Sequence, residues 1–280
     1  MKAALDWLTA SGAAFRPEAG HTGTAHLKHY AVRFCVWGEG PPLLLVPGLA
    51  GGMELLGPLA QELARDFQVI SYQLRGEDDC FALRRRFDLP DLVEDLAELL
   101  DWLGLERPAL MGVSFGGVLA LELAIRRPGR LRSLITQGVG PRFTPGLLQQ
   151  AAGLVLSRYP LPADSPFVNQ FFNLFFGGRQ KPGPLFDFVT AQCWRTDQSV
   201  MAHRFHMAEK VDFAGRLGCV RSPALVLAGE RDLLVSAAGL SELAAELPAG
   251  RAVRLPGCGH LAFVTHPERV AGEVRAFLEG

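Results

Sequence analysis

Several features that would place a chain in a specialised class are missing from this sequence. Its 28 basic and 29 acidic residues leave a net charge of −1, which argues against nucleic acid or an anionic membrane surface as the main partner. No apolar run reaches the roughly 18 residues of a membrane span, and Asp6 and Thr9 interrupt the N-terminal apolar residues. We therefore expect neither a membrane span nor a signal-peptide core. The five cysteines are scattered without a CxxC pair, which indicates reduced thiols in a cytoplasmic protein rather than a disulfide frame or a zinc site.

Strand-like and helix-like patterns alternate along most of the chain. Leu43–Val46 is a short continuous apolar run, typical of a central parallel strand, whereas about Pro90–Leu103 has apolar residues at helical spacing. The alternation predicts an α/β fold with a mostly parallel central sheet flanked by helices. The other predicted strands are about His26–Trp37, Phe67–Leu74, 109–113, Leu131–Thr136, Pro223–Ala228 and Arg251–Leu255. The other predicted helices are about Lys2–Ser11, Met53–Arg65, 114–127, Ser236–Leu247 and Leu261–Leu278.

Residues 141–213 break this alternation. They contain helix-like runs, many Phe and Leu residues and no convincing strand, so they predict a helical cap inserted after the strand near 131–136. The expected domain division is therefore an α/β core from residues 1–140 and 214–280, with a helical cap at 141–213.

A serine lies between two glycines where the strand at 109–113 meets the next helix, in Gly112-Val113-Ser114-Phe115-Gly116. Such a tight turn leaves no room for a Cβ two residues before or after the serine, and it exposes the serine hydroxyl. The backbone N–H of Phe115 then lies at a helix N-terminus, where it can stabilise an anion. Ser114 therefore combines a candidate attacking oxygen with an adjacent oxyanion donor.

Two further polar residues follow later strands of the predicted sheet. Asp232 lies in Gly229-Glu230-Arg231-Asp232, and His260 lies in Pro256-Gly257-Cys258-Gly259-His260. Ligands bind at the carboxyl ends of strands in open parallel sheets, so Ser114, Asp232 and His260 are expected to meet at one edge.

With these segments the chain resembles the α/β-hydrolase superfamily, in its small, capped serine-hydrolase branch, from about Tyr30 to the C-terminus. The segments GVSFGG, AGERD and GCGH match the three triad segments in order, and PGLAGG resembles the oxyanion loop. The resemblance implies that Ser114 is the nucleophile, His260 the general base and acid, and Asp232 its orienting carboxylate. It also implies an oxyanion hole formed by the N–H groups of Leu49 and Phe115.

Two positions depart from the pattern of this family. Pro47 replaces the usual histidine before the oxyanion-loop glycine, and only Arg75-Gly76 match the family's turn after the next strand. A serine at position 114 argues against the dehalogenase and epoxide-hydrolase relatives, which use a carboxylate nucleophile.

The function predicted from these features is hydrolysis of a small to medium apolar carboxylic ester through an acyl-enzyme, without cofactor or metal. The same triad would also serve carbon–carbon bond hydrolysis, enol-lactone opening or acyl and peracid transfer, and the fold also occurs in non-catalytic ligand-binding proteins. Arg179, Arg195 and Arg204 are candidates for holding a substrate carboxylate. His203 and His206 share a helical face, which would suit a metal, but they lack a third ligand and are interpreted as cap surface or pocket lining. The oligomeric state stays open.

Overall fold

The structure is a computed structural model that describes residues 20–77, 87–143, 146–158, 175–177 and 183–280. The predicted helix at Lys2–Ser11 and parts of the predicted cap at 141–213 lie outside the described residues. Among the described helices, none is both long and apolar enough to cross a membrane.

The described residues form one eight-stranded sheet with the spatial order β1-β2-β4-β3-β5-β6-β7-β8. From β4 across to β8 all neighbouring strands are parallel, while β1 and β2 pair antiparallel at one edge. The predicted α/β class with a mostly parallel sheet is thereby confirmed. The strands are β1 His21–His26, β2 Ala31–Trp37, β3 Pro42–Val46, β4 Gln68–Tyr72, β5 Ala109–Val113, β6 Ser133–Gln137, β7 Ala224–Gly229 and β8 Gly250–Leu255.

The first predicted strand, His26–Trp37, is in fact part of a hairpin. The chain turns after His26, where the N–H of Leu27 donates to the carbonyl of Tyr30 at 2.9 Å, and β1 pairs back along β2. Strand β1 was missed because only Ala25 in it is fully buried, which leaves almost no hydrophobic alternation to read in the sequence.

Ten α-helices occur in the described residues. Two predicted helices are each divided into two in the structure. The predicted helix Met53–Arg65 is interrupted at Leu56, and the predicted helix Leu261–Leu278 is interrupted at His266. In both places a proline lies in the first turn of the second helix, Pro58 as its second residue and Pro267 as its first. Proline lacks an N–H donor and cannot continue the hydrogen bonding of a preceding helix, so the first helix ends before it. The helices are α1 Gly52–Leu55, α2 Gly57–Leu63, α3 Leu89–Trp102, α4 Phe115–Arg126, α5 Leu147–Arg158, α6 Pro184–Cys193, α7 Gln198–Glu209, α8 Ala237–Glu246, α9 Ala262–Thr265 and α10 Pro267–Glu279.

Two apolar clusters cover the two faces of the sheet. Alternate residues of β3 enter opposite clusters, Leu44 with helices α3, α4 and α8, and Leu45 with helices α2, α9 and α10. Each fully buried leucine contributes roughly 1.5–3 kcal/mol relative to an exposed one, so these clusters hold the strands in register. A rigid parallel sheet of this kind places the carboxyl ends of β3, β5, β6 and β7 at one edge.

Helices α5, α6 and α7 all come from the chain between β6 and β7. Helix α5 packs on α7, α6 packs on α1, and α7 also contacts α4 in the body of the fold. In the described part of this segment we find helices and one isolated bridge between Arg142 and Asp212, in agreement with its helical sequence pattern.

Candidate active site

The turn between β5 and α4 holds Ser114 in a strained conformation. Its φ of 51° is the only positive φ at a non-glycine residue in the described part of the chain. A Cβ at Gly112 would overlap the backbone of Gly116, and a Cβ at Gly116 would overlap the carbonyl oxygens of Val46 and Pro47. Both glycines are therefore required by close backbone approach, and the turn projects the Ser114 side chain away from the sheet.

The three polar residues expected at this edge form a continuous hydrogen-bonded chain. Ser114 Oγ lies 2.9 Å from His260 Nε2, and His260 Nδ1 lies 2.9 Å from Asp232 Oδ2. The other oxygen of Asp232 accepts the N–H groups of Leu234 at 2.8 Å and Val235 at 3.1 Å. An ionised carboxylate only accepts hydrogen bonds, so Nδ1 of His260 must donate, and Nε2 of the neutral ring is left to accept the hydroxyl proton of Ser114.

Burial and charge act against each other at Asp232. Its side chain is fully buried, which raises the pKa of the carboxyl group, but the neighbouring His260 and the two backbone N–H donors outweigh this effect. The net result is a pKa below the usual value for aspartate. The carboxylate therefore stays ionised at neutral pH, where it orients the imidazole ring and would stabilise an imidazolium.

Gln137, at the end of β6, links the serine to the histidine. Its backbone carbonyl accepts the N–H of Ser114 at 2.8 Å, and its buried side-chain amide donates to the carbonyl of His260 at 2.9 Å. Gln137 was not among the predicted site residues, because a glutamine at the end of a strand has no distinctive sequence pattern.

The backbone N–H groups of Leu49 and Phe115, the two predicted oxyanion donors, donate to no described residue. Phe115 begins α4, so its N–H has no partner within the helix. The loop that carries Leu49 lies against the serine, since a Cβ placed on Gly48 would lie 3.6 Å from Ser114 Cβ. Both residues line the same pocket as Ser114 and His260.

This pocket is a cavity of about 240 Å³ with almost wholly apolar walls. Its polar side chains are Ser114, Cys193, His260 and, with half its surface exposed, Arg142. Burial raises the pKa of the Cys193 thiol to about 12, so this group is protonated and behaves as an apolar wall. The aromatic and aliphatic lining includes Phe143, Val155, Leu156, Phe175, Met201, Phe205, Phe213 and Leu234.

Of the three arginines predicted as substrate ligands, the two in the described residues do not line this pocket. Arg204 is completely buried and donates to Glu77 Oε1 at 2.5 Å, to the carbonyl of Leu49 at 2.9 Å and to the carbonyl of Arg75 at 3.0 Å. It has no exposed surface, so the expectation that it meets a substrate carboxylate was wrong. Arg195 is half exposed and lies 3.9 Å from Glu54, and Arg179 falls outside the described residues.

The two histidines of α7 do not converge on a common point. His203 Nε2 bonds to the carbonyl of Phe87 at 2.7 Å, whereas His206 bonds to Ser157 and Glu209. No group of three or more His, Cys, Asp or Glu residues with metal-binding geometry occurs in the described ranges.

Comparisons with known proteins agree with this architecture. A family model described as "alpha/beta hydrolase fold" matches residues 41–267. The chain is 30% identical over 258 residues to the polyketide synthase ThaQ of Burkholderia thailandensis, covering 86% of this chain but only 12% of that protein. It is 28% identical over 268 residues to a pimeloyl-[acyl-carrier protein] methyl ester esterase of Stenotrophomonas maltophilia, covering 88% of this chain and 95% of the relative.

A solved structure of a hydrolase from Pseudomonas aeruginosa PA01 superposes with a TM-score of 0.81 at 23% identity, covering 94% of this chain and 100% of the other. At that identity the likeness supports the fold.

Proposed function

Because the chain belongs to the α/β-hydrolase fold family, we propose that it is a serine hydrolase that cleaves small to medium apolar carboxylic esters. The observation that carries this proposal is the hydrogen-bonded chain from Ser114 through His260 to Asp232 beside an apolar pocket. Esterases among its relatives support the same class of reaction.

In the first step Ser114 Oγ attacks the ester carbonyl carbon while its proton passes to His260 Nε2. The negative charge that develops on the carbonyl oxygen is stabilised by the N–H groups of Leu49 and Phe115, each contributing roughly 3–4 kcal/mol. When the carbon–oxygen bond breaks, His260 returns the proton to the leaving alkoxide, which departs as the alcohol. The acyl group remains on Ser114.

In the second step a water molecule attacks the acyl-enzyme. His260 takes one of its protons, the oxyanion forms again in the same place, and the acid is released when the serine oxygen recovers that proton. The carboxylate of Asp232 stabilises the imidazolium in both steps, and the proposed reaction uses no cofactor or metal.

Residues 141–213 would act as a cap on the α/β core formed by 1–140 and 214–280. Phe143, Val155, Met201 and Phe205 come from this segment and line the apolar pocket, so it would select apolar acyl groups and limit the entry of water.

The test is intact-protein mass spectrometry after treatment with a fluorophosphonate, followed by turnover of p-nitrophenyl esters from acetate to decanoate. We expect a single adduct, located on Ser114 by peptide mapping, together with an optimum at short to medium chain length. An absence of both adduct and turnover would contradict the proposal and favour a ligand-binding protein of the same fold.

An adduct without ester turnover would have a different meaning. It would retain the serine nucleophile but move the reaction to carbon–carbon hydrolysis, enol-lactone opening or acyl or peracid transfer. Substrates of those classes, assayed with the same preparation, would then separate the alternatives.

A further inference from the structure

The loop that carries Leu49 is held by side chains from distant parts of the chain. Among the described residues, the backbone groups of Gly48, Leu49 and Ala50 form no hydrogen bond with other backbone groups. Instead, the Leu49 carbonyl accepts from Arg204, and the N–H of Gly51 donates to Thr196 Oγ1 at 3.0 Å. The two contacts therefore hold the loop at Leu49 and at Gly51, one on each side of Ala50.

These two contacts converge on one carboxylate. Thr196 Oγ1 donates its proton to Glu77 Oε2 at 3.0 Å, and Arg204 donates to Glu77 Oε1 at 2.5 Å. Thr196 and Arg204 are 1% and 0% exposed, and Glu77 is 6% exposed, so water does not compete for these bonds. The hydroxyl of Thr196 therefore donates its one proton to Glu77 while it accepts the N–H of Gly51.

We propose that Arg204, Glu77 and Thr196 are positioning residues for the oxyanion hole, a role that rests on the proposed function. Arg204 holds the carbonyl of Leu49, and Thr196 holds the N–H of Gly51, in the next peptide along the chain. The two anchors fix the backbone immediately after the N–H of Leu49. They thereby limit rotation at Leu49 so that its N–H, rather than a carbonyl oxygen, faces the reacting centre. An acceptor turned into that position would repel the developing oxyanion.

The position of Arg204 on α7 gives this arrangement a second property. Helix α7 also supplies Met201, Phe205 and Ala208 to the pocket wall, so the same helix shapes the acyl site and fixes the oxyanion loop. Glu77, Thr196 and Arg204 themselves do not line the pocket, so loss of their hydrogen bonds should affect the transition state more than the binding of the substrate.

The least disruptive test is Thr196→Val, which keeps the shape of the side chain and removes both hydrogen bonds. We expect kcat for a p-nitrophenyl ester to fall about 10-fold with KM changed less than about twofold, since small misplacements of a catalytic group cost one to two orders of magnitude. Inhibition by a trifluoromethyl ketone, which forms an oxyanion when the serine adds to it, should weaken by the same factor. Thr196→Ser, which keeps the hydroxyl, should restore both values.

Thr190→Val is the matched control. Thr190 is also a buried threonine from the same segment, but its hydroxyl bonds to the carbonyls of Phe186 and Asp187 within its own helix. This variant should keep the kinetics of the wild type. Glu77→Gln provides a second test of the network, with an expected loss of kcat of about 10-fold or more.

Wild-type kcat and wild-type ketone inhibition in both Thr196→Val and Glu77→Gln would overturn the inference and leave the serine hydrolase intact. Two further results would overturn it in favour of a purely structural network. One is a lower unfolding temperature of Thr196→Val and Glu77→Gln with unchanged kcat, and the other is an equal loss of kcat in Thr190→Val. A wild-type protein that neither turns over esters nor reacts with fluorophosphonate would instead overturn the proposed function, and this inference with it.

Discussion

Two serines in this protein lie beside a histidine and a carboxylate at almost the same distances. Ser114 is 2.9 Å from His260 Nε2, and Ser157, on α5, is 3.0 Å from His206 Nε2. In each case the other ring nitrogen lies 2.9 Å from a carboxylate oxygen, that of Asp232 or of Glu209. The pairwise distances alone would describe two equivalent triads.

Their surroundings differ in every respect that matters for catalysis. The hydroxyl of Ser157 donates to the carbonyl of Gly153 at 2.6 Å, so its proton is already used and its oxygen can only accept from His206. The side chain of His206 is about half exposed, whereas that of His260 is 6% exposed. Ser157 also lies in the last turn of a helix, where the following N–H bonds within the helix and is not available to an oxyanion.

Whether a serine can act as a nucleophile depends on its backbone conformation and its burial as much as on its hydrogen-bond partners. The left-handed φ of Ser114 frees its hydroxyl and the next amide, whereas the helical backbone at Ser157 occupies both. An exposed pair such as His206 with Glu209, which is charged only when the imidazole is protonated, contributes little energy, typically 0–1 kcal/mol. We interpret the Ser157 group as a link between α5 and α7.

The largest expected contrast is between Ser114→Ala and Ser157→Ala. Removal of the proposed nucleophile should lower kcat/KM for a p-nitrophenyl ester by about four orders of magnitude or more, because serine and histidine act as one unit. Ser157→Ala should stay within about twofold of the wild type, since its hydroxyl is committed to a helix carbonyl. Full activity in Ser114→Ala would remove the distinction between the two sites.

The next largest contrast is between substitutions of the two carboxylates, Asp232 and Glu209. In Asp232→Asn the amide can donate to Nδ1 of His260, which favours the tautomer with a proton on Nε2 and leaves no base for Ser114. We expect kcat at neutral pH to fall by about three to four orders of magnitude. The pKa of Asp232 lies below its ordinary value, so the wild-type comparison at neutral pH is made with an ionised carboxylate.

Glu209→Gln is the control for that experiment, and steady-state kinetics of both variants should be measured side by side. The partner of Glu209, His206, has no nucleophile to activate, so the rate should be unchanged. Equal losses in the two variants would indicate a general structural effect rather than control of the His260 tautomer.

A smaller contrast concerns the glycine near each serine. A Cβ at Gly116 would overlap backbone oxygens of Val46 and Pro47, whereas the atoms nearest to a Cβ at Gly153 belong to the ring of Phe205, the first at 2.6 Å. A side chain can rotate away and backbone in a sheet cannot. Gly116→Ala should therefore lower the free energy of unfolding by about 3 kcal/mol.

Gly153→Ala should change the free energy of unfolding by less than about 1 kcal/mol, because the higher helix propensity of alanine offsets the displacement of the ring. Urea denaturation of both variants measures the difference. A Gly116→Ala protein as stable as the wild type would mean that the turn at Ser114 is looser than its geometry indicates.

Much of the fold could be predicted because its signals are local. The apolar run at 109–113 and the glycines around Ser114 predict β5 and the start of α4 to within one residue. The three predicted triad residues lie after separate strands, and the parallel order of those strands brings them together. These positions could be predicted because each strand end is determined by residues that are neighbours in the chain.

The rest depends on contacts between distant residues. Thr196 reaches Gly51 and Arg204 reaches Leu49 across about half the chain, so no local pattern distinguishes these side chains from surface residues. Arg204 was a candidate ligand for a substrate carboxylate for the same reason. The sequence shows the charge of this side chain but not its burial or its partners. Strand β1 was missed because its exposed face and its single buried residue lack a periodic signal.

The backbone conformation of Ser114 lowers the stability of the fold while it presents the proposed nucleophile. Its φ of 51° is one that glycine adopts freely, and holding a non-glycine residue there costs roughly 1–3 kcal/mol. A glycine at 114 would relieve that strain in exchange for about 0.5–1 kcal/mol of additional chain entropy lost on folding. On balance the folded state would gain from losing the proposed nucleophile, so selection for stability alone would remove the very residue that selection for catalysis must retain.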